Sequence, residues 1–334
     1  MVSEWQQVIG HDWAVEVLSG AIKYNRVGHA YLITGPAQVG KMTLAKIFAQ
    51  ALNCEADSAE MRPCGRCRQC MLMKAGRHPD LRYVEPEVSA RGKASIKIDT
   101  IRELQRGLQL AAYEGRYKVV IIRGFDAANR NAANAFLKTL EEPPSNTILI
   151  LTATDADSLL DTIKSRCRVV SIRPIPTNTI EQSLITRWNA SQANAMLLAN
   201  LSNGRLGWAV AATQDPAILE ARNEQIGLLR ELLGSSLVAR FKLADRLARK
   251  AEALPLTLNL WLGWWRDLFL VNSGSGLISN VDERALFEQF SAEWEATAIH
   301  DSLSHTKQAL WKLEKNANAR LVLESLFLIY PDAP

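Results

Sequence analysis

The sequence predicts an α/β domain built on a parallel sheet, followed by a helical region that continues to the end of the chain. In the first half, short apolar runs alternate with helical patterns, which is typical of a parallel sheet covered by helices. A glycine-containing loop lies between the first apolar run and the helical pattern that follows it. Beyond Arg173-Pro174-Ile175-Pro176 the strand patterns fade and helical spacing takes over.

Five apolar runs are the predicted strands, and they lie at residues 30–33, 81–84, 118–122, 147–151 and 168–172. Helices are expected at about 99–111 and 132–141 between them, and Pro143-Pro144 ends the second of these. Prolines 174 and 176 suggest a linker, and Asn203-Gly204 breaks the helical region near its start. We therefore predict three domains, at residues 1–173, 174–213 and 214–334.

Composition and charge argue against a polycationic DNA-binding protein, a membrane protein and a secreted protein. The chain has 334 residues, a net charge of +4 and 22% charged residues, so any contact with DNA must come from a local patch. The most apolar stretch, residues 254–270, contains Asn259, Arg266 and Asp267, and we expect a buried helix there instead of a membrane span. Residues 1–5 lack a basic start followed by an apolar run, so we expect a cytoplasmic protein without a secretory signal.

The loop at residues 35–41 carries the glycine and lysine spacing of a phosphate-binding loop, G-x-x-x-x-G-K. The hydroxyl residue that should follow Lys41 and hold Mg²⁺ is replaced by Met42, and Thr43 comes one position late. A thioether is a poor ligand for a hard cation. The strand at 118–122 should end in acids that bind the metal and position water, and here it ends in Arg123-Gly124. We expect the fold of an NTPase without hydrolysis or a Mg²⁺ site.

Binding of a nucleotide or phosphate without hydrolysis is still permitted by this loop. Lys41 and the backbone N–H groups before it can cradle phosphates at a helix N-terminus, and neither needs an acid at 123. The candidate residues for this degenerate site are Gly35, Gly40, Lys41 and Thr43. The alternative is a loop that serves only to shape the fold, and the sequence leaves both open.

Four of the five cysteines lie close together, at Cys54, Cys64, Cys67 and Cys70. Their C-x₉-C-x₂-C-x₂-C spacing suits a closed, structural Zn²⁺ site of four thiolates in an insert at about 54–70. Disulfides are disfavoured in the cytosol, and a redox C-x-x-C is a weaker alternative because four cysteines are in reach. Cys167 is distant in sequence and is expected to be a small buried residue.

Arginines and tryptophans raise the question of nucleic-acid binding. Arg62, Arg66 and Arg68 could contact nucleic acid, as in zinc knuckles, or form a solvated rim around a structural metal, which we favour. Four tryptophans have helical spacing among leucines and are expected in a core or a subunit interface instead of stacking on bases; they are Trp261, Trp264, Trp265 and Trp311.

The ordered set of motifs resembles bacterial clamp-loader subunits of the AAA+ class. In chain order the motifs are Tyr31-Leu32-Ile33-Thr34-Gly35-Pro36, the four-cysteine insert, His78-Pro79-Asp80, Asn134-Ala135-Phe136-Leu137-Lys138-Thr139-Leu140-Glu141-Glu142-Pro143-Pro144 and Ser165-Arg166-Cys167. Residues 316–321 resemble the last helix of the family's collar. The resemblance implies that 174–213 is a helical lid and 214–334 an all-α collar used for oligomerisation.

Within that family the chain resembles the stationary subunit and not the motor. The motor keeps a hydroxyl residue after the loop lysine, an Asp-Glu pair after the second strand, and an arginine in a G-x-x-R pattern of the lid. Here these positions hold Met42, Arg123-Gly124 and Gly207. In the family, the arginine of Ser-Arg-Cys reaches the ATP site of a neighbour, so the resemblance implies that Arg166 is a trans arginine finger. On sequence position alone, Arg166 would instead cap a strand or pair with a surface acid.

The resemblance implies a function in DNA replication. The chain is expected to be a subunit without its own ATPase activity in a hetero-oligomeric clamp loader, itself a component of the DNA-directed DNA polymerase holoenzyme. Its expected direct partners are motor ATPase and delta-type subunits. It is expected to act on the sliding clamp indirectly and on primed DNA through the complex, and no membrane partner is expected. Two alternatives stay open: an active ATPase of the motor type, and a zinc-containing nucleic-acid adaptor.

Overall fold

The computed structural model describes residues 4–88 and 94–333. Residues 1–3, on which the prediction of no secretory signal partly rests, lie outside this part of the chain. The chain forms two compact units, one of Met1–Ile180 with Gly204–Gly207 and the other of Glu181–Asn203 with Trp208–Pro334.

The first unit contains a five-stranded parallel sheet, in which residues 81–84, 118–122, 147–153, 30–34 and 168–171 form neighbouring strands in that order. Each predicted strand is confirmed, with bounds that differ by at most two residues. The central strands are continuous apolar runs buried on both faces, as expected for parallel strands covered by helices. The strands are β1 (Ala30–Thr34), β2 (Leu81–Val84), β5 (Lys118–Ile122), β6 (Thr147–Ala153) and β7 (Arg168–Ser171).

Helices of the first unit pack on this sheet, and the predicted helices at 99–111 and 132–141 are confirmed as α4 and α5. One core cluster joins both helices to the strands through Leu104, Phe136 and Leu149. The helices are α1 (Asp12–Lys23), α2 (Lys41–Asn53), α3 (Arg68–Lys74), α4 (Ile98–Leu108), α5 (Arg130–Glu141) and α6 (Asp161–Lys164). The chain then enters α7 (Thr177–Trp188).

Two features of the first unit were not predicted. A short antiparallel ribbon joins β3 (Glu87–Val88) to β4 (Ala94–Ser95). Asp80, of the His78-Pro79-Asp80 motif, is 1% exposed and accepts backbone N–H bonds from Tyr113, Glu114 and Gly115 at 2.6, 2.9 and 2.8 Å. These three donors hold the pKa of Asp80 below its usual value despite its burial. The motif therefore fixes the loop that leads into β5.

The second unit is helical throughout its described residues. Its helices, after the end of α7, are α8 (Gln192–Leu201), α9 (Leu206–Gln214), α10 (Ala217–Leu233), α11 (Leu237–Ala248), α12 (Leu254–Asn272), α13 (Arg284–Glu293), α14 (Ala296–Glu314) and α15 (Ala319–Phe327). Among the residues described, no helix is both long and apolar enough to cross a bilayer.

The tryptophans of α12 form the centre of the helical core. Trp261, Trp264 and Trp265 are fully buried, which confirms the predicted core position and excludes base stacking in this fold. The indole N–H of Trp261 donates to the Gln225 carbonyl at 2.8 Å, so its one polar group is satisfied. Trp311 differs, because it is 57% exposed on α14 and lies outside this core.

Candidate functional site

The phosphate-binding loop connects β1 to α2, as its spacing predicts. Gly35 is essential to this connection because it has φ +147° and a Cβ there would lie 2.4 Å from the Ile172 carbonyl oxygen. Gly40, near the end of the loop, is the N-cap of α2. Met42 is half-buried and Thr43 is exposed on the first turn of α2. Thus Gly35, Gly40 and Lys41 lie in one loop, and the hydroxyl of Thr43 lies on the exposed side of the helix.

Lys41 bonds to its own loop in this structure. Its ammonium donates to the Pro36 carbonyl at 2.7 Å and also to the Gly35 carbonyl. Burial lowers the pKa of Lys41, and the nearby Asp126 carboxylate partly opposes that shift. The cation that would meet a phosphate is therefore held by two carbonyl oxygens of the loop itself.

Two further bonds hold the phosphate-binding loop from outside. The backbone N–H of Gly207 donates to the Gln38 carbonyl at 2.8 Å, and the His11 ring Nε2 lies 3.0 Å from the Val39 carbonyl oxygen. Gly207 occupies the position where the motor pattern expects an arginine. A Cβ at 207 would lie 2.8 Å from the Gln38 oxygen, so this close backbone contact leaves no room for a side chain.

The edge of the sheet beside the loop lacks the expected acids, and it contains one acid that sequence reasoning missed. Arg123 follows β5, is exposed, and pairs with Glu85 at 3.4 Å. Asp126 lies three residues further on and accepts bonds from the backbone N–H of Thr154 at 3.0 Å and from its hydroxyl. A search directly after the strand misses Asp126. The effect of Asp126 on Lys41 depends on the fold, which brings the segment after β5 close to the phosphate-binding loop. The bond between Asp126 and Thr154, which follows β6, depends on the fold in the same way.

The cysteine cluster is assembled as the spacing predicts. The four sulfurs of Cys54, Cys64, Cys67 and Cys70 all lie within 4.8 Å of one another. Tetrahedral Zn–S bonds of about 2.3 Å place sulfurs about 3.8 Å apart, so the cluster needs only a slight contraction to close on a metal. Cys167 is not part of this group and packs against the core of the first unit. Burial raises its pKa to about 12, which makes it an inert thiol.

Backbone donors around the cluster suit bound thiolates. The N–H groups of Cys64, Cys67 and Cys70 donate to the sulfurs of Cys54, Cys64 and Cys67, at 3.3, 3.4 and 3.4 Å. Such bonds favour charged sulfur and orient it, as the outer shell of a metal site does. The cluster therefore fits a structural divalent metal.

The insert, together with the α3 helix in which it ends, is attached to the rest of the first unit. The indole N–H of Trp5 donates to the Arg62 carbonyl at 2.9 Å, and Lys74 pairs with Glu4 at 3.4 Å. Arg62 itself donates to the Ala56 carbonyl at 2.8 Å, and Arg68 pairs with Glu114 at 3.1 Å. Two of the three rim arginines thus bond within the chain, which favours the structural interpretation of the rim.

Arg166 lies between α6 and β7 with its side chain 34% exposed. One terminal nitrogen is 2.7 Å from Glu141 Oε1, and the other donates to the Thr162 carbonyl at 2.9 Å. The pairing with a surface acid that the sequence position alone suggested is therefore present in the isolated chain.

The sheet places Arg166 far from the phosphate-binding loop of its own chain. Arg166 precedes β7, whereas Gly35 follows β1, and these neighbouring parallel strands are in register from Tyr31–Arg168 to Thr34–Ser171. At about 3.3 Å of rise per residue, the two sites are separated by roughly 15–20 Å along the strands. The guanidinium therefore does not reach the phosphate-binding loop of its own chain.

A parallel sheet with a phosphate-binding loop after β1 and a helix after the loop defines a P-loop protein, and comparison with known proteins narrows the class. The profile of the family described as "DNA polymerase III, delta subunit" matches residues 10–176. DNA polymerase III subunit delta′ of Bacillus subtilis is 30% identical over 319 residues, covering 94% of each chain. Subunit delta′ of Pseudomonas aeruginosa is 31% identical over 339 residues, covering 99% of this chain and 97% of that one.

The chain belongs to the DNA polymerase III delta′ family. The resemblance to clamp-loader subunits of the AAA+ class is thereby confirmed. DNA polymerase III subunit tau of Escherichia coli is also similar, at 34% identity over 216 residues, but that match covers 63% of this chain and 32% of tau.

The contact between Gly207 and the loop yields a stability prediction. Gly207→Ala should destabilise the protein by about 1–2 kcal/mol, because the new methyl group would overlap the Gln38 oxygen and displace the hydrogen bond. Gly20→Ala is the matched control, since Gly20 lies in α1 with open space around it, and it should be neutral or slightly stabilising. Urea denaturation measures both. Equal stability of Gly207→Ala and the parent protein would show that the contact does not persist in solution.

Proposed function

We propose that this chain is the non-hydrolysing subunit of the DNA polymerase III clamp loader and that it supplies Arg166 to the ATP site of a neighbouring motor subunit. The observation that supports this proposal is the distance between the phosphate-binding loop and Arg166, which lie at opposite ends of the parallel strands. The chain's own loop lacks the groups that complete hydrolysis, and its surface arginine lies at the opposite edge of the sheet. Loading of the sliding clamp onto primed DNA would then be driven by ATP hydrolysed on the neighbour.

The case against hydrolysis by this chain rests on chemistry at its own loop. Met42 offers no oxygen to Mg²⁺, and Arg123 places a cation where a metal-binding acid is required. The Asp126 carboxylate acts electrostatically on Lys41, but its Oδ2 already accepts two bonds from Thr154. The loop carbonyls that hold Lys41 also compete with any phosphate for that ammonium. A nucleotide could bind at Gly35, Gly40, Lys41 and Thr43 only if the bonds from Lys41 to the two loop carbonyls broke.

The case for a trans role rests on what Arg166 can offer to another chain. A guanidinium stabilises negative charge that develops on the γ-phosphate, and such fingers typically raise the rate by about 10³ to 10⁵. The side chain is about one-third exposed, so a neighbour can approach it. Motor ATPase and delta-type subunits are the proposed direct partners. The sliding clamp would be contacted indirectly, and primed DNA through the assembled complex. The proposed location is the cytoplasm.

The domain division 1–173, 174–213 and 214–334 is part of this proposal. The middle segment would be the lid that ends in the Gly207 region, and the last would be the collar through which subunits assemble. Zn²⁺ is the proposed metal of the four cysteines, because four thiolates in tetrahedral reach are its preferred structural set. When bound, it would cross-link the insert, and the closed set of ligands leaves no position for catalysis.

The zinc proposal predicts about one equivalent of Zn²⁺ per chain in protein prepared without chelator. Cys67→Ser should release most of the metal and loosen the insert, because one of four ligands is lost. Cys167→Ser is the control and should retain the metal, since Cys167 lies outside the cluster. Elemental analysis tests this, and less than about a tenth of an equivalent in the parent protein would contradict it.

The isolated chain should release no phosphate from ATP above background. Both the metal ligand at position 42 and the acids after β5 are replaced, so no group in the loop completes the reaction. The measurement is steady-state hydrolysis with and without primed DNA, with Lys41→Ala as the reference for contaminating activity. A turnover of about 1 s⁻¹ that Lys41→Ala abolishes would establish a working site and favour the motor-type alternative.

Arg166→Ala should impair the assembled complex and not the chain itself. Its melting temperature and its assembly with partners should be nearly unchanged, because an arginine that is about one-third exposed contributes little to folding. DNA-stimulated ATP hydrolysis and clamp loading by the complex should fall, with a partial loss if other motor sites keep their own fingers. Arg173→Ala is the control, as it removes an exposed arginine beyond β7. Normal hydrolysis and loading by a fully assembled Arg166→Ala complex would refute the trans role.

A further inference from the structure

The guanidinium of Arg166 is held in one orientation by its own chain. Within the described residues, its terminal nitrogens meet three acceptors, Glu141 Oε1 at 2.7 Å, the Thr162 carbonyl at 2.9 Å and Ser165 Oγ at 3.4 Å. A guanidinium has five N–H donors in a rigid fork. Three contacts therefore fix the plane of the fork and leave two donors for an acceptor on another molecule.

Glu141 and Arg166 stand on the same rigid support. Leu140, just before Glu141, and Ile163, three residues before Arg166, are both almost completely buried and belong to one hydrophobic cluster. The N–H of Arg166 donates to the Ile163 carbonyl at 3.2 Å, which continues the turn of α6 to the arginine. Glu141 is the last residue of α5, and Pro143-Pro144 prevents the helix from continuing. The carboxylate therefore has a fixed base from which to hold the guanidinium.

Orientation matters because a long arginine side chain otherwise samples many rotamers. Of the three acceptors, Glu141 alone carries a charge, and a charge-assisted bond is stronger than the bonds to a carbonyl or hydroxyl. A small misplacement of a group that acts on a transition state can reduce the rate by up to about 100-fold. Removing the carboxylate would therefore release the fork while leaving the arginine present.

We infer that Glu141 is a positioning residue for Arg166, which it holds in the orientation that serves the neighbouring ATP site. This inference rests on the proposed trans role of Arg166. Glu141 does not touch the nucleotide and acts only through the arginine. The motif Leu140-Glu141-Glu142-Pro143-Pro144 thus has a function in the complex: its first glutamate orients the finger, and its prolines fix the end of the helix that carries this glutamate.

The test compares four reconstituted clamp loaders that contain Glu141→Gln, Arg166→Ala, the double variant, or Glu142→Gln. Glu142→Gln is the matched control, because it removes the same charge from the next residue, which is exposed and has no ion pair within 4 Å in the described part of the chain. DNA-stimulated hydrolysis is measured over a range of ATP concentrations. Equal assembly of all four complexes is checked by size-exclusion chromatography.

Glu141→Gln should decrease log kcat by at least half as much as Arg166→Ala does, with little change in KM. The reason is that the substitution removes the correct orientation of Arg166 in the transition state and leaves substrate binding intact. In the Arg166→Ala background the same substitution should cause no further loss, since it acts only through the arginine. Glu142→Gln should match the parent complex. A residue that merely stabilised the fold would instead reduce the rate equally in both backgrounds.

Three outcomes would overturn the inference, and they differ from failure of the proposed function. If Arg166→Ala lowers the rate and Glu141→Gln does not, Glu141 has no positioning role. If Glu141→Gln raises the rate, the carboxylate restrains the finger instead of presenting it. If the losses of the two single variants add in the double variant, Glu141 acts independently of Arg166. If Arg166→Ala has no effect at all, the trans role fails, and the inference fails with it.

Discussion

The register of the parallel sheet determines where each functional group lies. Because all five strands run in one direction, everything that follows a strand meets at one edge and everything that precedes a strand meets at the other. The phosphate-binding loop, Arg123 and Thr154 share the first edge. Arg166 precedes β7 and Glu141 lies in the segment before β6, so both share the second. The sheet thus separates the chain's own loop from Arg166, the residue proposed to act on another chain.

At the first edge, the loop is bonded to groups of its own unit where an active enzyme would hold a nucleotide. Lys41 bonds to Gly35 and Pro36, and Gly207 bonds to Gln38. Buried or half-buried polar groups need partners, and here the partners are groups of the same chain. This arrangement accounts for glycine at 207, because the contact of its N–H with the Gln38 carbonyl leaves no room for a side chain. The same bonds hold the loop in one shape within this chain.

The strands, the phosphate-binding loop and the cysteine cluster could be predicted from sequence because their signals are local. The strands are continuous apolar runs, the loop has a fixed spacing of glycine and lysine, and Cys64, Cys67 and Cys70 lie within seven residues. The contacts whose partners the sequence did not identify join residues far apart: Asp126 with Thr154, Glu141 with Arg166, and Gln38 with Gly207. These pairs depend on strand order and register, which periodicity does not specify. Trp311 shows the limit of pattern alone, since it shares the helical spacing of the buried tryptophans and is exposed.

The most direct test of the account is a structure of the assembled clamp loader with primed DNA and a transition-state mimic such as ADP with aluminium fluoride. The account predicts that a neighbouring subunit holds the nucleotide, with a terminal nitrogen of Arg166 within about 3.5 Å of the γ-phosphate mimic. It also predicts that no Mg²⁺-nucleotide occupies the loop at 35–41 of this chain. A Mg²⁺-nucleotide bound by Lys41, together with an Arg166 that contacts no nucleotide, would contradict it.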